Sequence, residues 1–170
     1  PLKGSVRWEV AIANPRGTNE VERVADLVGP AARAGDVVCA RAFQSAVGCA
    51  NAQTGTLLWT KNTGGAQAIG ADAELVASAD GSGRITAWRA ATGDLAWTAE
   101  QLLHRDLSGM LVVGRTVIVG DFEGQVHFLD RTNGKLLSAE KFVPVNWAER
   151  IDLATGRPVE DPKARFVDEP

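Results

Sequence analysis

A short segment that the chain repeats does more than any other feature to limit what it can fold into. Residues 50–59 read Ala-Asn-Ala-Gln-Thr-Gly-Thr-Leu-Leu-Trp, and residues 87–97 read Ala-Trp-Arg-Ala-Ala-Thr-Gly-Asp-Leu-Ala-Trp. Leu129 to Ser138 is a weaker copy, and Lys3 to Trp8 is the tail of another. Each copy reads as strand, tight turn, strand. A small or apolar residue ends one strand, Thr-Gly or Asn-Gly turns the chain, and an apolar run follows. In three copies a tryptophan stands four residues after the glycine: Trp8, Trp59 and Trp97. A buried indole needs a partner for its N–H. A Trp recurring at one offset from a turn glycine therefore reads as a docking post between neighbouring units.

The period sets the size of the unit. Gly55 and Gly93 are 38 residues apart, and Gly93 and Gly134 are 41 apart. That matches the roughly 40–45 residues of a four-stranded propeller blade. Gly4 and Gly55 are 51 apart, which leaves room for an insertion, whereas the 22 residues between Gly134 and Gly156 are too few for a blade. The expectation is an all-β propeller fragment of about three four-stranded blades, at about 24–62, 66–99 and 107–141. Residues 5–12 are expected as a strand of a preceding blade. After Lys141 strand alternation fades and four of the seven prolines appear, so 142–170 is expected to be an irregular tail. The opening Pro in place of Met, with no apolar leader after it, reads as a processed or excised piece.

Composition narrows the function classes. A formal net charge of −3 gives no electrostatic case for nucleic acid. No run approaches the roughly 18 apolar residues of a membrane-spanning helix. His104 has no nucleophile or carboxylate at motif spacing, and His127 reads as a strand residue between Val126 and Phe128. With two separated histidines and two cysteines, a metal site is not expected. The Gly81-Ser82-Gly83 segment has the glycines of a phosphate cradle but no helix pattern after it, so it reads as a hairpin turn. Cys39 and Cys49 fall in consecutive strands. A two-residue turn at Gln44-Ser45 puts them on opposite faces as buried thiols, the favoured reading; a three-residue turn sets them opposite each other and allows a disulfide.

The Ala-x-x-x-x-Thr-Gly-x-x-x-Trp pattern resembles the tryptophan-docking repeat of quinoprotein-like eight-bladed propellers. A more specific resemblance rests on Gly17 to Asp26, Leu102-Leu103-His104-Arg105 and Val119 to His127. Over about 4–130 the chain resembles the C-terminal blades of the BamB family of outer-membrane protein assembly factors. That resemblance implies a non-catalytic, cofactor-free scaffold at the periplasmic face of the outer membrane that docks the barrel-inserting subunit BamA. Glu22, Arg23 and Asp26 are the implied partner-binding residues; a second acidic docking position of the family falls on Val28. From about 129 onward, Leu129 to Leu137, Phe142 to Ala148 and Asp152 to Pro158 resemble dehydrogenases that use pyrroloquinoline quinone (PQQ). Under that alternative Asn146 and Trp147 are cofactor-facing, and the whole reads as a hybrid sequence. Three blades leave two open flanks, so self-association is expected as well.

Overall fold

The computed structural model describes residues 4–13 and 26–164, and within them the chain is a row of antiparallel sheets. The first sheet orders β1 (Leu27–Ala34), β2 (Val37–Ala42), β3 (Ala46–Asn51) and β4 (Leu57–Asn62) side by side. The second uses β5 (Gly70–Ala71), β6 (Leu75–Ala79), β7 (Ile85–Arg89) and β8 (Leu95–Ala99) in the same way. The third uses β9 (Leu107–Val113), β10 (Thr116–Asp121), β11 (Gln125–Asp130) and β12 (Leu136–Lys141). Three four-stranded meanders with no α-helix among the described residues make this an all-β propeller fragment.

The repeated turn joins the third strand of each sheet to the fourth. Its backbone closes identically in each copy: Gly55 N–H donates to Asn51 O, Gly93 N–H to Arg89 O and Gly134 N–H to Asp130 O, all at 2.8 Å. The three glycines have φ of +73°, +73° and +75°, a region costly for any residue with a Cβ. Each glycine also touches an indole: a Cβ would lie 2.6 Å from Trp8 at Gly55, 2.7 Å from Trp59 at Gly93 and 2.5 Å from Trp97 at Gly134. The indole N–H then completes the dock. Trp8 Nε1 donates to Ala52 O at 3.1 Å, Trp59 Nε1 to Ala90 O at 2.7 Å and Trp97 Nε1 to Arg131 O at 2.7 Å. In every case the acceptor lies three residues before the glycine. Each indole thus fills the notch that the next turn leaves by having no side chain.

Around these docks the sheets share cores. Cys39, Val47, Cys49 and Trp59 of the first sheet pack with Ile69, Val76, Trp88 and Ala90 of the second. A larger cluster joins Leu75, Ile85 and Trp97 of the second to Met110, Val117 and Leu129 of the third. Charges add a clasp between the second and third sheets: Arg131, whose carbonyl takes the Trp97 indole, also pairs with Asp72 at 2.8 Å and Glu74 at 2.9 Å.

At the other end of the sheets the linkers between blades are tied down by buried arginines. Arg41 sends Nη1 to Gly64 O at 2.7 Å and Nη2 to Ala79 O at 3.0 Å, linking the first sheet and its outgoing linker to the second. Arg105, in the linker between β8 and β9, sends Nη1 to Asp121 at 3.0 Å and Glu123 at 2.8 Å. Asp121 accepts a further bond from His127 Nε2 at 2.8 Å, and both of these side chains are fully buried. Its Oδ1 also takes the backbone N–H groups of Glu123 and Gln125. Burial pushes the Asp121 carboxyl up. The bonds from His127, Gln125 N–H and Arg105 outweigh it and leave the group below the usual carboxylate range.

Several expectations need correction. Residues 5–12 belong to no sheet; they lie against the first one through Trp8 and through Ile12, whose carbonyl takes the Thr60 hydroxyl at 2.9 Å. A strand exists only when a neighbour offers a ladder, and none of the described residues does so here. The loop between β2 and β3 has three residues, Phe43 to Ser45, with Gln44 at φ +49°. Cys39 therefore faces Cys49 directly, and the two form a disulfide in place of two thiols. The tail is less irregular than expected. β13 (Ala148–Ile151) and β14 (Pro158–Glu160) pair across a fourth copy of the turn, with Gly156 N–H donating to Asp152 O. This turn receives no indole: Ser138 stands where Trp59 and Trp97 stand in the earlier sheets, and Gly156 packs on the Gln101 backbone instead.

Two outcomes test this account. Trp59→Phe keeps an aromatic ring but orphans the Ala90 carbonyl, and chemical denaturation should show a loss of roughly 1–3 kcal/mol. Trp147→Phe, whose indole makes no such bond among the described residues, should stay within about 0.5 kcal/mol. Asp121→Asn should cost about 3 kcal/mol at neutral pH, because it strips the buried His127 and Arg105 of their shared carboxylate. The Asp121 carboxyl is depressed in the folded state. Its contribution is therefore complete above the unfolded value of about 3.9 and is lost as pH falls through the lower folded value. The stability gap between the two proteins should therefore narrow as the pH falls below about 3.9.

Candidate docking face

The end of the sheets opposite the indole docks carries the loops between second and third strands and the linkers between blades. Three of those loops and two linkers surround one cleft of about 340 Å³. Gln44 comes from the first sheet, Asp80, Gly81 and Gly83 from the second, Phe122 from the third, and Gln67 and Asp106 from the linkers. The loops are shaped by carboxylates. Asp80 Oδ1 accepts the N–H groups of Ser82 at 2.8 Å and Arg84 at 3.2 Å and the Ser82 hydroxyl at 2.6 Å. Burial pushes this carboxyl up, but the Ser82 and Arg84 bonds outweigh it and leave the group below its ordinary value. Asp121 shapes the next loop in the same way. The Gly81-Ser82-Gly83 turn therefore spends the Ser82 and Arg84 N–H groups on its own carboxylate and is no phosphate cradle.

The residues the sequence singled out for partner binding fall partly on this face. Glu22 and Arg23 lie outside the described residues. Asp26 is exposed just before β1, and its carbonyl accepts the Phe43 N–H at 2.8 Å. That bond joins it to the loop that supplies Gln44. Phe43 itself is 44% exposed, and Phe122, at the matching place in the third sheet's loop, is 77% exposed. Neither phenylalanine stands out in the sequence. Each sits at the tip of a three-residue loop, a place that becomes visible only once the strand register is known. Val28, in β1, is partly buried.

Three arginines of this end are already committed. Arg41 is fully buried, and burial pulls its guanidinium down to about 10 despite the nearby Asp80 charge. Arg105 is held by Asp121 and Glu123, and Arg84 pairs with Glu100 at 2.9 Å. His104 is exposed with φ +64°, its N–H donating to Ser82 O. His127 is more than a strand residue, since it is half of the buried pair with Asp121. Nothing in the alternation of Val126, His127 and Phe128 signals that partner. Among the described residues no group of three His, Cys, Asp or Glu is placed to hold a metal ion.

Asn146 and Trp147 line a second cleft, of about 520 Å³, with Phe122, Phe142 and Val143. Its charged lining residues are Asp121 and Glu123, both held by Arg105. PQQ carries several carboxylates, and this cleft offers them like charge and no cation. The residues present do not fit that cofactor.

A family model described as outer membrane protein assembly factor BamB matches residues 1–99. BamB of Bordetella pertussis is 35% identical over 136 residues, which are 79% of this chain and 35% of that one. The quinohemoprotein alcohol dehydrogenase ADH IIB of Pseudomonas putida is 44% identical over 99 residues, 51% of this chain and 14% of the other. Among solved structures, BamB from Moraxella catarrhalis superposes with a TM-score of 0.73 at 20% identity, covering 82% of this chain and 42% of that one, a likeness of fold. The chain spans about a third of the length of the BamB relatives it matches. With three four-stranded sheets laid out as a propeller segment and more than half of its residues matched by the family model, the chain belongs to the family of the outer membrane protein assembly factor BamB.

Proposed function

We propose that this chain is a non-catalytic docking scaffold of outer-membrane protein assembly. It works at the periplasmic face of the outer membrane and docks the barrel-inserting subunit BamA. The observation that carries this reading is the end face itself. Asp26 is bonded to the Phe43 loop there, and exposed phenylalanines stand beside carboxylates on a rigid frame. Exposed aromatic residues on loops held by a stiff scaffold are what protein recognition uses. Charge around them sets the encounter. The fully buried Cys39–Cys49 bond supports an oxidising compartment, where disulfides persist. No helix among the described residues is long and apolar enough to cross a membrane.

A second reading, a segment of a PQQ-dependent alcohol dehydrogenase, draws on the Pseudomonas putida relative. The presence of both kinds of relative also fits a hybrid joined within the shared turn. A spectral titration with PQQ and Ca²⁺ separates the readings, since a saturable shift of the quinone absorption belongs only to the dehydrogenase.

The outward face of the third sheet supports self-association. Leu111 and Val113 are 57% and 51% exposed there, with Ile118 and Phe128 beside them in register. Sedimentation of the 18.0 kDa chain should give a mass above the monomer at micromolar concentration; a sharp monomer boundary would count against association through this flank. For docking, pull-down with the periplasmic domains of BamA should retain the parent chain. Asp26→Lys should weaken retention at least fivefold, and the reading fails if that variant is retained as well as the parent.

A further inference from the structure

The cleft among the blade-end loops has a wall chemistry that selects one kind of side chain. Its polar lining consists of two carboxylates, Asp80 and Asp106, and two carboxamides, Gln44 and Gln67; no lining residue is basic. Gln44 Oε1 is engaged by the Gly65 N–H at 3.2 Å. Asp80 spends Oδ1 on its own loop, which leaves Oδ2 without a hydrogen bond among the described residues, and it also feels the Arg41 charge. Asp106 is exposed and its carboxylate accepts no hydrogen bond among the described residues. The one aromatic lining residue is Phe122, a phenyl ring 77% exposed at a loop tip, beside small and aliphatic residues such as Ala66 and Leu107.

The buried arginines make this arrangement lopsided. Arg41 and Arg105 face inward onto carbonyls and internal carboxylates, while Asp106 and Phe122 are exposed and the Asp106 carboxylate has no hydrogen bond among the described residues. A free carboxylate beside an aromatic face is the environment a guanidinium prefers. The carboxylate takes its N–H fork, and the ring takes its flat face. A volume of about 340 Å³ lies at the low end of ligand clefts. That suits one long side chain better than a drug-sized molecule. A metal ion is a poorer fit, because no group of three carboxylate, His or Cys donors converges among the described residues.

The geometry points to this cleft as the subsite for an arginine side chain presented by a loop of the docked protein, with Asp106 as its counter-charge and Phe122 as its stacking face. This rests on the docking reading above, and it adds the residue that the partner must supply. Asp26 and the cleft then form one surface: the Asp26–Phe43 bond fixes one side, and the arginine enters between the second and third sheets.

The test uses the full chain and small probes. Nα-acetyl-arginine amide is titrated while backbone amide resonances are followed by NMR, with Nα-acetyl-citrulline amide as the neutral isostere. The arginine probe should shift Gly81, Gly83, Asp106 and Phe122 in a saturable way, and the citrulline probe should not. Asp106→Asn should weaken the arginine probe at least fivefold. Asparagine tolerates the left-handed backbone seen at Asp106 (φ +47°), so the fold is retained. Phe122→Ala, at an exposed tip, should weaken it severalfold. Equal shifts from citrulline, shifts scattered away from the cleft, or unchanged affinity in Asp106→Asn would each overturn the assignment. The probe reads the cleft alone. Retention of BamA without probe binding therefore sinks the arginine subsite, whereas probe binding without retention sinks the docking reading.

Discussion

The structure depends on an indole lying in the notch of a turn that has no side chain. The dock couples two constraints that usually act apart. The turn needs a left-handed residue, which favours glycine, and the same missing Cβ opens the space into which the preceding Trp sinks. The indole N–H then donates to the backbone carbonyl three residues upstream of the glycine. Backbone geometry, packing and hydrogen bonding all lock at one point per blade. That explains why so short a motif can organise so much chain. With Ser138 in place of an indole, the fourth turn receives no ring and packs against Gln101 instead.

How far the fold was legible follows from this. The offset of Trp8, Trp59 and Trp97 from their glycines, and the blade-sized period, are properties of sequence order, and they carried over to the sheets. The Asp152 to Gly156 turn carries the motif residues but lies only 22 residues after Gly134, too close for a full blade. Its strands, of four and three residues, are too short to show alternation. The disulfide hinged on whether a loop has two residues or three. That was decided by Gln44 adopting a left-handed conformation that asparagine would have advertised and glutamine does not. The buried Arg105–Asp121–His127 group was hidden for a different reason. Its members come from a linker, a strand end and a neighbouring strand, and only the ladder pairing Gly120 with Val126 brings them together.

The candidate site was legible only in part. Only a family resemblance points to Asp26, and Glu22 and Arg23 lie outside the described residues. Phe43, Phe122 and Asp106 carry no local signal, because exposure at a loop tip depends on register and not on neighbours in sequence. Asp80 and Asp121 were readable as turn residues. What could not be read is that equivalent carboxylates at the same end of the sheets serve opposite uses. Asp121 is drawn inward by Arg105 and His127, whereas Asp80 lines the open cleft.

The two ends of the sheets are held together by different devices. Cohesion at the indole end is set by positions that tolerate little change, since a turn glycine cannot be replaced without striking a ring. At the other end the linkers are tied from beneath by Arg41 and Arg105. Burying those two cations inside has an electrostatic consequence as well. Their charge is absorbed by carbonyls and internal carboxylates, and Asp26 and Asp106 face solvent without a salt bridge among the described residues. A frame that uses its arginines as internal ties thereby presents an acidic, aromatic surface outward, and the sign of that surface is a by-product of how the blades are held together.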